Sequence, residues 1–229
     1  MNNKNWLQNL ALCIALLFHI SGAIGILFTP YKNWFIQNTP VNLLIMTLLL
    51  IITQQQKNFY FFLFFVVTCA VGFIVEFTGV STGHVFGNYK YGDTLGLKLL
   101  NVPLVIGLNW FVVMYCIGVA VQIYEDKMLN RFAEKGLKLN PLLQRFSFIV
   151  DASLLAVFFD WIIEPVAGKL NFWQWEGDHI PYYNYICWLV ISALLLALFQ
   201  KLPFKKHNIF AIHLFIIQVL FFLILRTFL

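Results

Sequence analysis

Across 229 residues the chain is 61% hydrophobic and only 11% charged, with a mean hydropathy of +0.79. That balance excludes a water-soluble globular domain and points to an integral membrane protein. The formal net charge of +5 comes from cations that flank apolar runs and form no stripe on a folded domain, which argues against nucleic acid as a partner.

Apolar stretches of about 20 residues match what a helix needs to cross a hydrocarbon core of about 30 Å. The expected fold class is therefore all-α, a polytopic membrane bundle of about seven transmembrane helices, with no β-barrel signature. In chain order the crossings are expected at 6–28, 36–53, 59–77, 102–124, 142–163, 183–199 and 209–225. The second is weakened by Pro40. A polar hinge near 125–141, YEDKMLNRFAEKGLKLNP with its preceding tyrosine, divides what otherwise reads as a single transmembrane domain, 1–229. The apolar run after Lys4 is too long for a signal-peptide core and lacks a small-residue cleavage site, so it is expected to remain as a helix.

Basic residues predict the orientation. Lys4, Lys57, Lys127, Arg131, Lys135, Lys138, Arg145, Lys201, Lys205 and Lys206 fall on one side of the seven crossings. Lys32, Lys90, Lys98, Lys169 and Arg226 fall on the other. The richer side is expected to be cytoplasmic, giving a multi-pass cell-membrane protein with its N-terminus inside and its C-terminus outside.

Cys13, Cys69, Cys116 and Cys187 lie within crossings and share no CxxC spacing, which reads as packed thiols. His19, His84, His179, His207 and His213 are scattered, without the close spacing a di-iron oxygenase needs. No metal site, nucleotide loop or other cofactor is expected.

Carboxylates inside crossings carry the chemistry. The segment DASLLAVFFDWIIEP places Asp151, Asp160 and Glu164 in an otherwise apolar helix, where each charge costs about 2.5 to 3.5 kcal/mol on insertion scales. Asp160 and Glu164 are one turn apart and share a face, whereas Asp151 lies nine residues earlier on the opposite face. Two such carboxyls in low dielectric cannot both ionise cheaply, so one is expected to keep its proton and serve as an acid. The alternative is a neutral hydrogen-bonded pair, or a position wetted by headgroups. Asp151 reads equally as a functional group or as a structural one, buried in a pair with Arg145 or with another span. Glu76, near the end of the third crossing, reads as either a helix boundary or a catalytic group, and the topology brings it to the same membrane face as Asp160 and Glu164.

The connector GVSTGHVFGNYKYGDTLG has glycines at 79, 83, 87, 92 and 96 and the aromatics His84, Phe86, Tyr89 and Tyr91. It suits a segment folded back into the mouth of the bundle, or else an interfacial aromatic belt. The later FWQWEGDHIPYYNY reads more strongly as a belt.

These segments carry a family resemblance. EFTGVSTGHVFGNYKYGDTLG, then VPLVIGLNW, DASLLAVFFDWIIEP, and the spacing of Trp173, Trp175, Pro181, Asn184 and Trp188 resemble the carotenoid 1,2-hydratases, integral membrane proteins of carotenoid biosynthesis. The resemblance covers roughly 72–188, and where the family often has Asp before the proline this chain has Glu164. It implies addition of water to the terminal C1,C2 double bond of an acyclic carotenoid end, of lycopene or γ-carotene type, giving a tertiary alcohol without a cofactor.

For that chemistry the expected catalytic set is Asp160, Glu164, Glu76, Asp151 and His84. Asp160 is the favoured acid, while Glu76 or His84 orients water. The expected substrate-binding set is Tyr89, Tyr91, Trp110, Trp161, Phe159, Asn109, Trp175 and Asn184, with aromatic faces turned to the cation. The expected partners are the carotenoid, water, the lipid bilayer and, by the resemblance, other carotenoid-biosynthesis enzymes. A cyclase or isomerase starting from the same protonation, a transporter, and a non-catalytic assembly subunit are the alternatives.

Overall fold

In the computed structural model, which describes residues 3–137, 139–177 and 179–229, the apolar runs are helices and their ends follow the local sequence. The helices are α1 (Asn3–Phe28), α2 (Lys32–Gln37), α3 (Thr39–Thr53), α4 (Phe59–Thr82), α5 (Val105–Glu134), α6 (Pro141–Lys169), α7 (Tyr182–Lys201) and α8 (Ile209–Phe228). Six of them are long and apolar enough to cross a membrane, making this a multi-pass membrane protein. The expected second crossing is the 15-residue α3, about 22 Å long. Its start is set by Pro40 in the first turn, where a missing N–H costs nothing.

Capping fixes other ends. Asn58 accepts the Phe61 N–H at 3.0 Å to start α4, and Asn140 accepts the Leu142 N–H at 2.8 Å beside Pro141 to start α6. Three helices run well past the ends expected from the sequence, α4 among them, to Thr82 where 77 was expected. The polar hinge is largely helical: α5 continues to Glu134 because MLNRFAE holds helix formers and no breaker before Gly136, which turns the chain at φ 72°. Likewise α6 passes through Pro165 and ends at Lys169.

Seven helices run between the two ends of the bundle. At one end Gln8 of α1 donates to the Thr53 carbonyl at 3.1 Å, Gln54 donates to the Lys205 carbonyl at 2.9 Å, and Asn208 donates to Thr53 Oγ1 at 3.0 Å. The start of α1, the end of α3 and the α7–α8 connection therefore meet there. The opposite end of α3 approaches the long loop after α4, where Pro40 lies against Gly96. Helix α5 forms the axis. It is buried on every side from Trp110 to Val119, as expected of a helix apolar all round, and packs on α3, α4, α6, α7 and α8.

Short strands close the end opposite Gln54. β1 (Tyr89–Tyr91) pairs antiparallel with β4 (Trp173–Trp175), Tyr89 opposite Trp175 and Tyr91 opposite Trp173. β2 (Lys98–Leu99) and β3 (Val102–Pro103) form a second, smaller ladder. The period of two in a strand turns Lys90 and Gln174 to the outside and sets Tyr89, Tyr91, Trp173 and Trp175 on the inner face.

Candidate functional site

Beneath the β1–β4 ribbon, three helices bring their acids to one small cavity. It has a volume of about 30 Å³, and its walls include Glu76 of α4, Asp160 and Glu164 of α6, and Asn184 of α7. All four residues are buried. Such a space holds one or two waters, since a single water needs roughly 10 to 15 Å³ on this measure.

The ribbon supplies the donors. Tyr89 and Tyr91 hydroxyls donate to Glu76 Oε2 at 2.6 and 2.7 Å, and Trp110 Nε1 donates to Glu76 Oε1 at 3.0 Å. Across the ladder, Trp173 and Trp175 indoles donate to Glu164 Oε2 at 3.1 and 2.7 Å. Asn184 Nδ2 donates to Asp160 Oδ2 at 2.7 Å and reaches Glu164 Oε1 at 3.5 Å. The two glutamates thus accept on both oxygens, as suits carboxylates, whereas Asp160 accepts only from Asn184 among the described residues. Burial, followed by the charge of Glu76, raises Tyr89 and Tyr91 well above the usual phenol range, so both stay protonated donors.

Two close approaches make the arrangement possible. Gly72 lies one turn before Glu76 in α4, and a Cβ there would stand 2.4 Å from the Trp110 ring. The bare backbone lets Trp110 lie against α4 and reach the acid, with its ring stacked on Trp188 at 4.3 Å. Pro165 has no N–H and so leaves the carbonyl four residues earlier, that of Trp161, without its helical donor. Arg226 of α8 donates to this carbonyl at 2.8 Å, and its guanidinium lies 3.9 Å from the Trp161 ring centre. The turn carrying Asp160 and Glu164 is thereby tied to α8.

Beside the acid cavity lies a larger, mainly apolar one of about 520 Å³, walled by α1, α2, α3, α5, α6 and α8. Ile106, Asn109 and Trp173 belong to both walls, so the two spaces adjoin.

The structure brings together most, not all, of the residues singled out from the sequence. Glu76, Asp160, Glu164, Tyr89, Tyr91, Asn109, Trp175 and Asn184 wall the acid cavity, and Trp110 touches it through Glu76. Asp151 does not reach it. It is exposed on the far face of α6, accepts from Ser147 at 3.3 Å, and makes no ion pair with Arg145 among the described residues. His84 is also away from the acids, its backbone carbonyl accepting from the Tyr183 hydroxyl at the loop surface. Trp161 is 46% exposed, because the residue after Asp160 is turned about 100° around the helix. Phe159 is turned the other way, buried against Phe215 and Phe222. Four wall residues outside the expected set are Phe86, Ile106, Trp173 and Trp188. Matching period-two triplets, YKY and WQW, were the available signal for Trp173.

A 130-residue stretch, 55% of this chain, is 28% identical to bisanhydrobacterioruberin hydratase of Haloarcula japonica and covers 40% of that protein's length. No solved structure matches the chain. Residues 38–229 match the family described as Carotenoid biosynthesis protein, so the chain belongs to that carotenoid-biosynthesis family.

Proposed function

We propose that this protein is a carotenoid hydratase that adds water to the terminal C1,C2 double bond of an acyclic carotenoid end. The observation that carries the reading is a water-sized cavity walled by three carboxyls and adjoining an apolar chamber. Alkene hydration needs a proton donor, a held water and a place for an isoprenoid tail, and these are what the two spaces offer.

Asp160 is the acid, since Oδ1 has no donor among the described residues and is open to a proton. Its proton goes to C2, the π pair forms the C–H bond, and the positive charge falls on tertiary C1. The rings of Trp173 and Trp188 in the cavity wall, with the negative charges of Glu76 and Glu164, favour that cation. Water in the small cavity attacks C1 and loses a proton to Glu164. Transfer of that proton from Glu164 to Asp160, one turn away, restores the resting state. Atoms and charge balance: alkene plus water gives the tertiary alcohol.

The ten-to-five split of basic residues between the two sides of the expected crossings favours a cytoplasmic N-terminus and a site near the outer face of the cell membrane. Expression in cells that accumulate lycopene or γ-carotene, and in cells that accumulate an acyclic carotenoid already carrying a hydroxyl group, is the test. Hydration yields pigments heavier by one water. Cyclised or isomerised pigment of unchanged mass, or both kinds of pigment left untouched beside abundant protein, overturns the reading.

A further inference from the structure

The larger cavity is mainly apolar, yet three polar side chains in its wall have no use in the chemistry above. Gln218 of α8 is only 7% exposed, and its Oε1 has no hydrogen-bond partner among the described residues. Asn42 of α3 also holds a buried, unpartnered Oδ1. His19 of α1 is 5% exposed and lies 2.8 Å through Nδ1 from the Ala15 carbonyl. A carbonyl only accepts, so Nδ1 carries the hydrogen, and in the neutral ring Nε2 remains a free acceptor. All three residues line the one chamber.

Buried acceptors left unpaired cost free energy that an apolar wall would avoid. A hydrocarbon ligand leaves them unpaired, and a keto group brings only another acceptor. A hydroxyl donates to one of them and accepts from an amide N–H of Gln218 or Asn42, so it alone among the common oxygen functions of isoprenoids suits the set.

We infer that the chamber takes an isoprenoid chain already bearing a hydroxyl group, which Gln218, His19 and Asn42 hold while the chain's terminal alkene points toward the acids. This rests on reading the chamber as the substrate space, and it narrows the substrate from a pure hydrocarbon to an alcohol. Gln218 lies about 15 Å along α8 from its end at Phe228, and Glu76 about 9 Å along α4 from its end at Thr82. Their depths are therefore similar, and the hydroxyl belongs within a few isoprene units of the reacting double bond.

Equilibrium binding of radiolabelled farnesol and farnesene tests this without turnover. The two share a C15 skeleton and a terminal trisubstituted alkene; at the other end farnesol carries a hydroxyl where farnesene carries a conjugated diene. Full-length protein in lipid nanodiscs, corrected with protein-free discs, is expected to bind farnesol about tenfold more tightly, as one buried hydrogen bond implies. Gln218→Met and His19→Phe, each close in shape to the original, are expected to reduce that preference to within about twofold while leaving farnesene affinity unchanged. Equal binding of the two probes by the wild type overturns the inference. So does binding of neither, or a variant that weakens both alike, which would make the polar set a water site or a packing element. A farnesol preference without any hydrated carotenoid would sink the hydratase reading and leave the hydroxyl subsite standing.

Discussion

Replacing Asp160 with Asn separates chemistry from packing, because the structure fixes what the substitution keeps. Asn184 Nδ2 donates to Asp160 Oδ2 at 2.7 Å, and an amide oxygen in the same place accepts that bond equally well. The new amide N–H₂ has Glu164, one turn along, as an acceptor. The fold should therefore lose less than about 1 kcal/mol, within the range of ordinary substitutions. Asp160→Leu, by contrast, strands the Asn184 donor and should cost about 1 to 3 kcal/mol. What Asp160→Asn removes is the transferable proton. Loss of a general acid slows a reaction roughly 10² to 10⁴-fold, equivalent to about 2.7 to 5.4 kcal/mol in the barrier. The assay is membrane abundance by immunoblot beside hydrated carotenoid by chromatography and mass. Normal abundance with product reduced at least a hundredfold is the expected result. Normal abundance with near wild-type product would refute the assignment of the acid, and Glu164 and then Glu76 would be next to test.

Other expectations follow from single contacts. Gly72→Ala puts a methyl 2.4 Å from the Trp110 ring, so Trp110 must leave Glu76; thermal stability and product should both fall, with a loss of roughly 1 to 3 kcal/mol. Arg226→Leu orphans the Trp161 carbonyl and is expected to lower the melting temperature, with Arg226→Lys recovering part of the loss; equal melting temperatures for all three proteins would contradict the capping role. Tyr89 and Tyr91 are raised in the folded state by burial and by Glu76, while in an unfolded chain they ionise near pH 10. The folded state then holds more protons above that pH, so stability is full below about pH 10 and declines beyond it; the Tyr91→Phe protein should show a shallower alkaline decline in a melting series. Reporter fusions in the α5–α6 connection and after Lys206 should report cytoplasm and a fusion after Leu229 the other side; one location for all three would overturn the orientation.

The sequence by itself determined the solvent, the helices and which acids lie inside them. Runs of about 20 apolar residues have no stable alternative to helix in lipid, and the spacing of Asp160 and Glu164 puts them on one face whatever packs against them. The cost of burying a carboxyl made Glu76, Asp160 and Glu164 conspicuous before any contact was known. Helix ends were less legible, since α5 runs ten residues past the expected 124 to Glu134 on polar residues that form helix outside the apolar span as readily as loop.

Only the tertiary structure decided which neighbours the acids have. Tyr91 and Trp173 are separated by 82 residues and meet across a two-stranded ladder that neither triplet specifies alone, because a strand's partner is chosen by its surroundings. Aromatics suited to an interfacial belt became inward donors once the ribbon closed over the helices. Asp151 and Trp161, chosen for their place in an acidic or aromatic segment, went outward because α7 and α8 cover the other side of α6, and a sequence pattern cannot say which face of a wholly apolar helix will be covered. The same holds for Gln218, an ordinary polar interruption in α8 until α1 and α3 enclose it with His19 and Asn42 around one cavity.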